Sequence, residues 1–205
     1  SIMEGVRVRK RDLDGALRQL LERTKTVEFS PPLDASRLPE LKGFDGETVR
    51  EIRIQVVEPY RSWRSSAGSP SACRAALQRL PGGLILHGPP GTGKTTLAKW
   101  IAQATGLPYR IVSAPDIKGW LYGDAERNVR KLFADARRAS PCILVFDDAE
   151  DLIPERSRLT GSTAEAAWST VNAFNQQIEG FEGRQSGVVI VLTTNRIEAL
   201  DRAFR

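Results

Sequence analysis

The chain has 205 residues, 40% of them hydrophobic, and its 30 Lys and Arg exceed its 25 Asp and Glu for a formal net charge of +5. That length allows one well-packed core, or one core plus an appendage. No apolar run approaches ~18 residues, and Cys73 and Cys142 lack metal-ligand spacing, so neither a membrane-spanning helix nor a cysteine metal centre is expected.

The N-terminal stretch carries the only dense basic cluster, Arg7, Arg9, Lys10 and Arg11. It reads either as a solvated tail or as a contact for nucleic acid or an acidic partner. A helix follows, capped by Asp12 and lined on one face by Leu13, Leu17, Leu20 and Leu21. This helix is either the end of a preceding module or an amphipathic docking helix. Residues 24–40 hold Pro31, Pro32 and Pro39 and read as a linker. Val49, Ile52, Val56 and Val57 then repeat at helical spacing, predicting a helix from Gly46 that ends before Pro59. Ser65 to Ser71 is a short low-complexity stretch. No signal peptide is visible at the start of the chain.

Gly83-Leu84-Ile85-Leu86-His87 is apolar and bounded by glycines, as a buried strand is. His87, the only histidine, is expected to be packed rather than catalytic. Gly88-Pro89-Pro90-Gly91-Thr92-Gly93-Lys94-Thr95 follows at once and fits G-x-x-x-x-G-K-[ST] without a gap. Glycines let a backbone curl until successive N–H groups point at one spot, and a following helix adds its N-terminal donors, Thr96 among them. Such a loop cradles phosphate oxygens; Lys94 reaches the terminal phosphates and the Thr95 hydroxyl ligates Mg²⁺. Leu97, Ala98, Ile101 and Ala102 supply the helical spacing that this pattern requires downstream. The expected ligand is a nucleoside triphosphate, with ATP and Mg²⁺ as cofactors.

Cys142-Ile143-Leu144-Val145-Phe146 is apolar throughout, which suits a central parallel strand, and Asp147-Asp148 follows it. Carboxylates there lie where open α/β sheets bind ligands. Asp147 is placed for the Mg²⁺ shell and Asp148 for orienting an attacking water, whereas Glu150 is expected to point elsewhere. Residues 161–179 predict a long helix with Trp168, Val171, Phe174 and Ile178 toward the sheet. Val188 to Leu192 is another buried strand, running into Thr193-Thr194-Asn195, whose Asn195 amide could bond the γ-phosphate or the water. Cys142 is expected to be a small buried hydrophobe, and free thiols imply a reducing compartment. Strand and helix patterns alternate from Leu84 onward, so the fold class is α/β with a parallel sheet.

These motifs, in this order, resemble the AAA branch of the AAA+ ATPases from about Leu41 to Arg205. Residues 88–95 resemble its Walker A, Leu144 to Asp148 its Walker B, and Thr193 to Arg196 with Ala199-Leu200-Asp201 its sensor 1 region. Gly123 to Phe133 is similar to the helix after the first pore loop. The resemblance implies a P-loop NTPase three-layer sandwich with a central parallel five-stranded sheet, preceded here by an N-terminal helical segment. It divides the chain into residues 1–40, helix and linker, and residues 41–205, the large α/β subdomain without its C-terminal lid. It further implies a homo- or hetero-hexameric ring with ATP between subunits, pulling a protein substrate past a pore loop. Aligned on Gly123, the gripping aromatic position falls on Leu121, with Trp120 and Tyr122 flanking it.

Two departures from the family matter. Its Walker B ends Asp-Glu, whereas this one ends Asp147-Asp148, one methylene shorter. Its arginine fingers lie near or past Arg205, and its sensor 2 arginine sits on the lid. The leading expectation is a cytoplasmic, ATP-driven remodeller of proteins, with Lys94, Asp148 and Asn195 as catalytic residues. One alternative is a nucleotide-binding structural subunit that hydrolyses weakly because of Asp148. The other is a nucleic-acid-associated AAA+ ATPase, which the likeness of residues 117–133 to the AAA branch disfavours.

Overall fold

The computed structural model describes residues 28–31, 41, 43–65, 83–118, 124–155, 164–179 and 187–204. The basic cluster, the leucine-lined helix at 12–21, Cys73, Trp120, Leu121, Tyr122 and Arg205 lie outside the described residues.

Four parallel strands form one sheet: β1 (Gly83–His87), β2 (Tyr109–Val112), β3 (Cys142–Phe146) and β4 (Val188–Thr194). Their spatial order is β1-β4-β3-β2. Five strands were expected, and the described residues contribute four. β3 and β4 are buried along their whole length, because both faces are covered by helices and both edges are paired. β1 is exposed at both ends and half-buried between them, so it is less enclosed than its apolar sequence implies. His87 sits at its exposed end rather than packed. β2 carries no strong strand signal in Tyr109-Arg110-Ile111-Val112, and only Val112 is fully buried.

Side chains of β3 and β4 alternate between two cores. Ile143, Val145, Val189 and Val191 meet α3 (Lys94–Thr105) through Leu97, Ala98, Ile101 and Ala102. Cys142, Leu144, Phe146, Val188, Ile190 and Leu192 meet α5 (Asp124–Arg138) and α6 (Ala164–Glu179). Helices on both faces of a parallel sheet make the three-layer α/β sandwich. Phe133, Phe146 and Phe174 pin the second core, with ring centroids 5.2–6.1 Å apart. Each buried ring contributes roughly 1.5–3 kcal/mol by burial alone. Val171 and Phe174 face the sheet as their spacing predicts, but Trp168, one turn earlier, is 47% exposed. Cys142 is buried, and the loss of water around its thiol pushes its pKa up to about 12.

The helix expected to stop before Pro59 instead continues. α1 (Gly46–Ile52) passes through a π-turn, Arg53–Val57, into α2 (Glu58–Ser65). Glu58 N–H reaches back to Arg53 O, so Pro59, which has no N–H, enters where the regular ladder has already shifted. Asp45 caps α1 by accepting from Thr48 N–H at 3.0 Å. Part of the expected linker also has structure. Ser30 and Tyr109 exchange backbone hydrogen bonds of 2.8 and 3.2 Å, covering one position on the free edge of β2.

Between β2 and α5, Ser113 and Asp116 form a capping box at the start of α4 (Ala114–Ile117). Asn128 of α5 donates to Ile117 O at 2.9 Å, which ties α4 to α5.

Candidate functional site

The C-terminal ends of β1, β3 and β4 carry the residues singled out in the sequence. The first part is built from backbone. Gly88, Gly91 and Gly93 have φ values of 153°, 80° and 82°, all in the region that side chains disfavour. At Gly93 space is also closed, since an added Cβ would stand 2.8 Å from Phe44 Cζ. The positive φ at Gly93 starts α3 directly, with no side-chain cap. The first intrahelical bond is Leu97 N–H to Gly93 O at 2.8 Å, so the N–H groups of Lys94, Thr95 and Thr96 precede the ladder. They are the donors a helix N-terminus offers to an anion.

Within the loop, Lys94 Nζ donates to Gly88 O at 2.9 Å and to Pro89 O at 2.8 Å. Thr92 Oγ1 donates to Pro89 O at 2.9 Å, closing the turn. These are bonds to neutral carbonyls, so the ammonium has no carboxylate partner among them. Its charge remains available to a phosphate, a stronger acceptor.

The second part is built from side chains on two strands that are distant in sequence. Strand alternation puts Asp147 on the α3 side of the sheet, and Asp147 N–H extends the β2–β3 ladder to Val112 O at 2.9 Å. Thr95 Oγ1 donates to Asp147 Oδ1 at 2.8 Å, and Thr193 Oγ1 donates to the same oxygen at 2.6 Å. Thr193 Oγ1 in turn accepts the Asp148 N–H at 3.2 Å. Asn195 Nδ2 donates to Asp148 Oδ1 at 3.2 Å, and Asn195 N–H donates to Glu150 Oε1 at 3.0 Å. Four hydrogen bonds thus stitch the end of β4 to the acidic turn after β3.

Asp148 is the only non-glycine residue with positive φ among the described residues, at 47°. Asp tolerates that conformation better than most residues do. Burial of its carboxyl, and then the neighbouring charges of Asp147, Glu150 and Asp151, hold its pKa above the ordinary value; Lys94 opposes them.

The structure therefore brings together Lys94, Thr95, Asp147, Asp148 and Asn195, as their motifs predict. Glu150 turns toward Asn195, whose backbone N–H donates to Glu150 Oε1 at 3.0 Å. Glu150 Oε2 is buried without a partner. Thr193 was legible as part of a polar turn, but its bonding role was not, since the pairing of β3 with β4 creates it.

The donor chemistry fits a nucleotide with Mg²⁺. The Thr95 proton is committed to Asp147, which leaves the hydroxyl lone pairs for a hard cation. Among the described residues no three His, Cys, Asp or Glu side chains converge as a metal site. Mg²⁺ in phosphate sites needs none, being held by one or two protein oxygens, water and the phosphates.

A profile of the ATPase family associated with various cellular activities (AAA) matches residues 84–205. The chain belongs to the AAA ATPases. Within that family, it is 34% identical over 186 residues to the peroxisomal ATPase PEX6 of Homo sapiens, a match covering 91% of this chain and 18% of that protein. It is 38% identical over 125 residues to protein CdcH of Halobacterium salinarum, covering 61% of this chain and 16% of that one. It is 38% identical over 126 residues to the ATP-dependent zinc metalloprotease FtsH of Mycoplasmoides gallisepticum, covering 62% of this chain and 16% of the protease. The chain thus spans less than a fifth of the length of these AAA relatives.

Among the described residues no helix is long and apolar enough to cross a membrane.

Proposed function

We propose that this chain is the ATP-binding and ATP-hydrolysing module of a ring-forming AAA ATPase that remodels, unfolds or disassembles proteins. The observation that carries the reading is the 2.8 Å bond from Thr95 Oγ1 to Asp147 Oδ1. It joins the start of α3 to the end of β3, where a Mg²⁺–triphosphate requires one hydroxyl and one carboxylate.

Bound Mg²⁺ neutralises charge that develops on the β- and γ-phosphoryl oxygens. The chain's own residues do the rest. The backbone donors of residues 88–96 orient the phosphates, and Lys94 supplies a positive charge beside them. Asp147 fixes the Thr95 hydroxyl. Asp148 accepts a hydrogen bond from the attacking water and draws its proton away. Asn195, bonded to Asp148, orients that carboxylate and presents its amide to the γ-phosphate side.

Residues 41–205 would form the large subdomain, and residues 1–40 a preceding helix and linker. A hexamer in the cytoplasm, gripping a protein chain with Trp120, Leu121 and Tyr122, completes the proposal. Lys94→Ala tests the site. Isothermal titration with Mg²⁺–ATP should show loss of binding, on the order of 100-fold or more, from removal of a charge-assisted contact. Tight binding by the variant would reject the assignment.

A second reading is favoured by Asp148. Its short carboxylate is held by Asn195 at 3.2 Å, which limits its reach toward water. A subunit that binds ATP firmly and hydrolyses it slowly would serve as a structural or regulatory member of a mixed ring.

A further inference from the structure

The Thr193 hydroxyl occupies an unusual position. It is 1% exposed and lies at the end of β4, one strand away from Asp147 and Asp148. A backbone N–H can only donate and a carboxylate can only accept. The direction of both contacts is therefore forced: Asp148 N–H gives to Thr193, and the Thr193 proton goes to Asp147 Oδ1. Thr95 gives its proton to the same Oδ1. One carboxylate oxygen thus takes two hydroxyl donors, and Oδ2 is the oxygen that neither hydroxyl engages. The end of β4 is itself held in the sheet, because Thr193 pairs in register with Leu86 of β1 and the preceding Leu192 with Phe146 of β3. A hydroxyl on a buried strand paired along both edges is a rigid donor.

We propose that Thr193 is a positioning residue for metal-assisted nucleotide binding, holding the Asp147 carboxylate and the Asp148 backbone in one fixed arrangement. The inference rests on the reading of this site as one for ATP with Mg²⁺. Thr193 touches neither nucleotide nor metal. It acts on Asp147, which then leaves the Thr95 lone pairs directed at the cation. Without it, Asp147 can swing to follow Thr95 alone, and the hydroxyl–carboxylate pair loses its set direction. Partners one shell out from a metal ligand typically change metal affinity by about 10–100-fold.

The test compares the wild-type chain with Thr193→Val, which keeps shape and removes the hydroxyl, and Thr193→Ser, which keeps the hydroxyl. A fluorescent ATP analogue is titrated into each in Mg²⁺ and in EDTA, and ligand-free thermal unfolding is recorded alongside. Thr193→Val should lose about tenfold of the affinity gain that Mg²⁺ confers. Its affinity in EDTA should stay within about twofold of wild type, and Thr193→Ser should keep the Mg²⁺ gain. If the valine variant does not fold, Thr193→Ala carries the same expectation. The inference is overturned if the variants without a hydroxyl keep the full Mg²⁺ gain, if they lose affinity equally in EDTA, or if serine does no better than valine. A wild-type chain with no Mg²⁺-dependent binding removes the ATP reading itself and this inference with it. A normal wild type with an unaffected valine variant removes only the role of Thr193.

Discussion

The phosphate loop and the acidic turn after β3 solve different problems with different materials. The loop is continuous in sequence, half-exposed and made of backbone, its shape set by glycines at positive φ. The acidic turn is assembled from β3 and β4, and side-chain hydrogen bonds spanning 45 to 47 residues hold it together. The contrast teaches that, on the proposed function, binding and hydrolysis would be separable. Phosphate capture depends on a local conformation that a few glycines dictate. The proposed water activation would depend on where two carboxylates and an amide land once the sheet has formed.

The largest expected effect breaks the loop and leaves the turn intact. Gly93→Ala forces a side chain onto φ 82° and drives its Cβ to 2.8 Å from Phe44 Cζ. The left-handed conformation alone costs about 1–2 kcal/mol. The loop will reshape to escape both, and a ~1 Å misplacement of donors is worth on the order of 100-fold. ATP affinity by calorimetry should fall by that amount. Adding Phe44→Ala should recover part of it, because the clash goes and the φ strain stays. Full recovery would show that φ at Gly93 is not what shapes the loop.

The middle effect acts on the turn and spares the loop. Asp148→Glu restores one methylene, and turnover by the full-length assembly, read as phosphate release, should rise about tenfold toward the family norm. ATP affinity should stay within about twofold, since the loop is unaltered. Unchanged or lower turnover would mean that Asp148 already reaches the water, and the shorter carboxylate would then be no handicap.

These two regions also differ in how far the sequence reveals them. The loop is readable from eight consecutive residues because backbone geometry is a local property. Lys94, Asp147 and Asn195 are likewise placed by their strand ends. The Thr193 and Glu150 contacts are not readable, because they exist only after β3 and β4 pair in register. The same distinction holds for the fold. β3 and β4, apolar on both faces, announce themselves, whereas β2 mixes Tyr109 and Arg110 with Ile111 and Val112 and gives no period. Trp168 has the right spacing for burial and is nevertheless exposed, which periodicity alone does not foresee. Pro59 marks a break in any regular helix, and only the π-turn before it lets the chain continue.

The smallest effect measures what the acidic turn costs in stability. The Asp148 pKa is raised, first by burial and then by Asp147, Glu150 and Asp151, so the fold favours its neutral form relative to the unfolded chain. Stability therefore falls as pH climbs from the ordinary carboxylate value through the raised one, and the penalty is constant above it. Asp148→Asn removes the charge, still accepts from Asn195 through its carbonyl oxygen, and tolerates positive φ as well as aspartate does. At neutral pH the variant should melt higher than wild type. The side chain is largely exposed and solvent screens its neighbours, so the gain should be only about 1 °C. As pH is lowered past the ordinary carboxylate range the two melting curves should converge, because wild-type Asp148 is then protonated in both states. A gap that widens toward acid would place the unfavourable charge elsewhere. Convergence, with ATP affinity unaltered in the same variant, would locate the strain in the acidic turn proposed for hydrolysis and not in the loop proposed for binding.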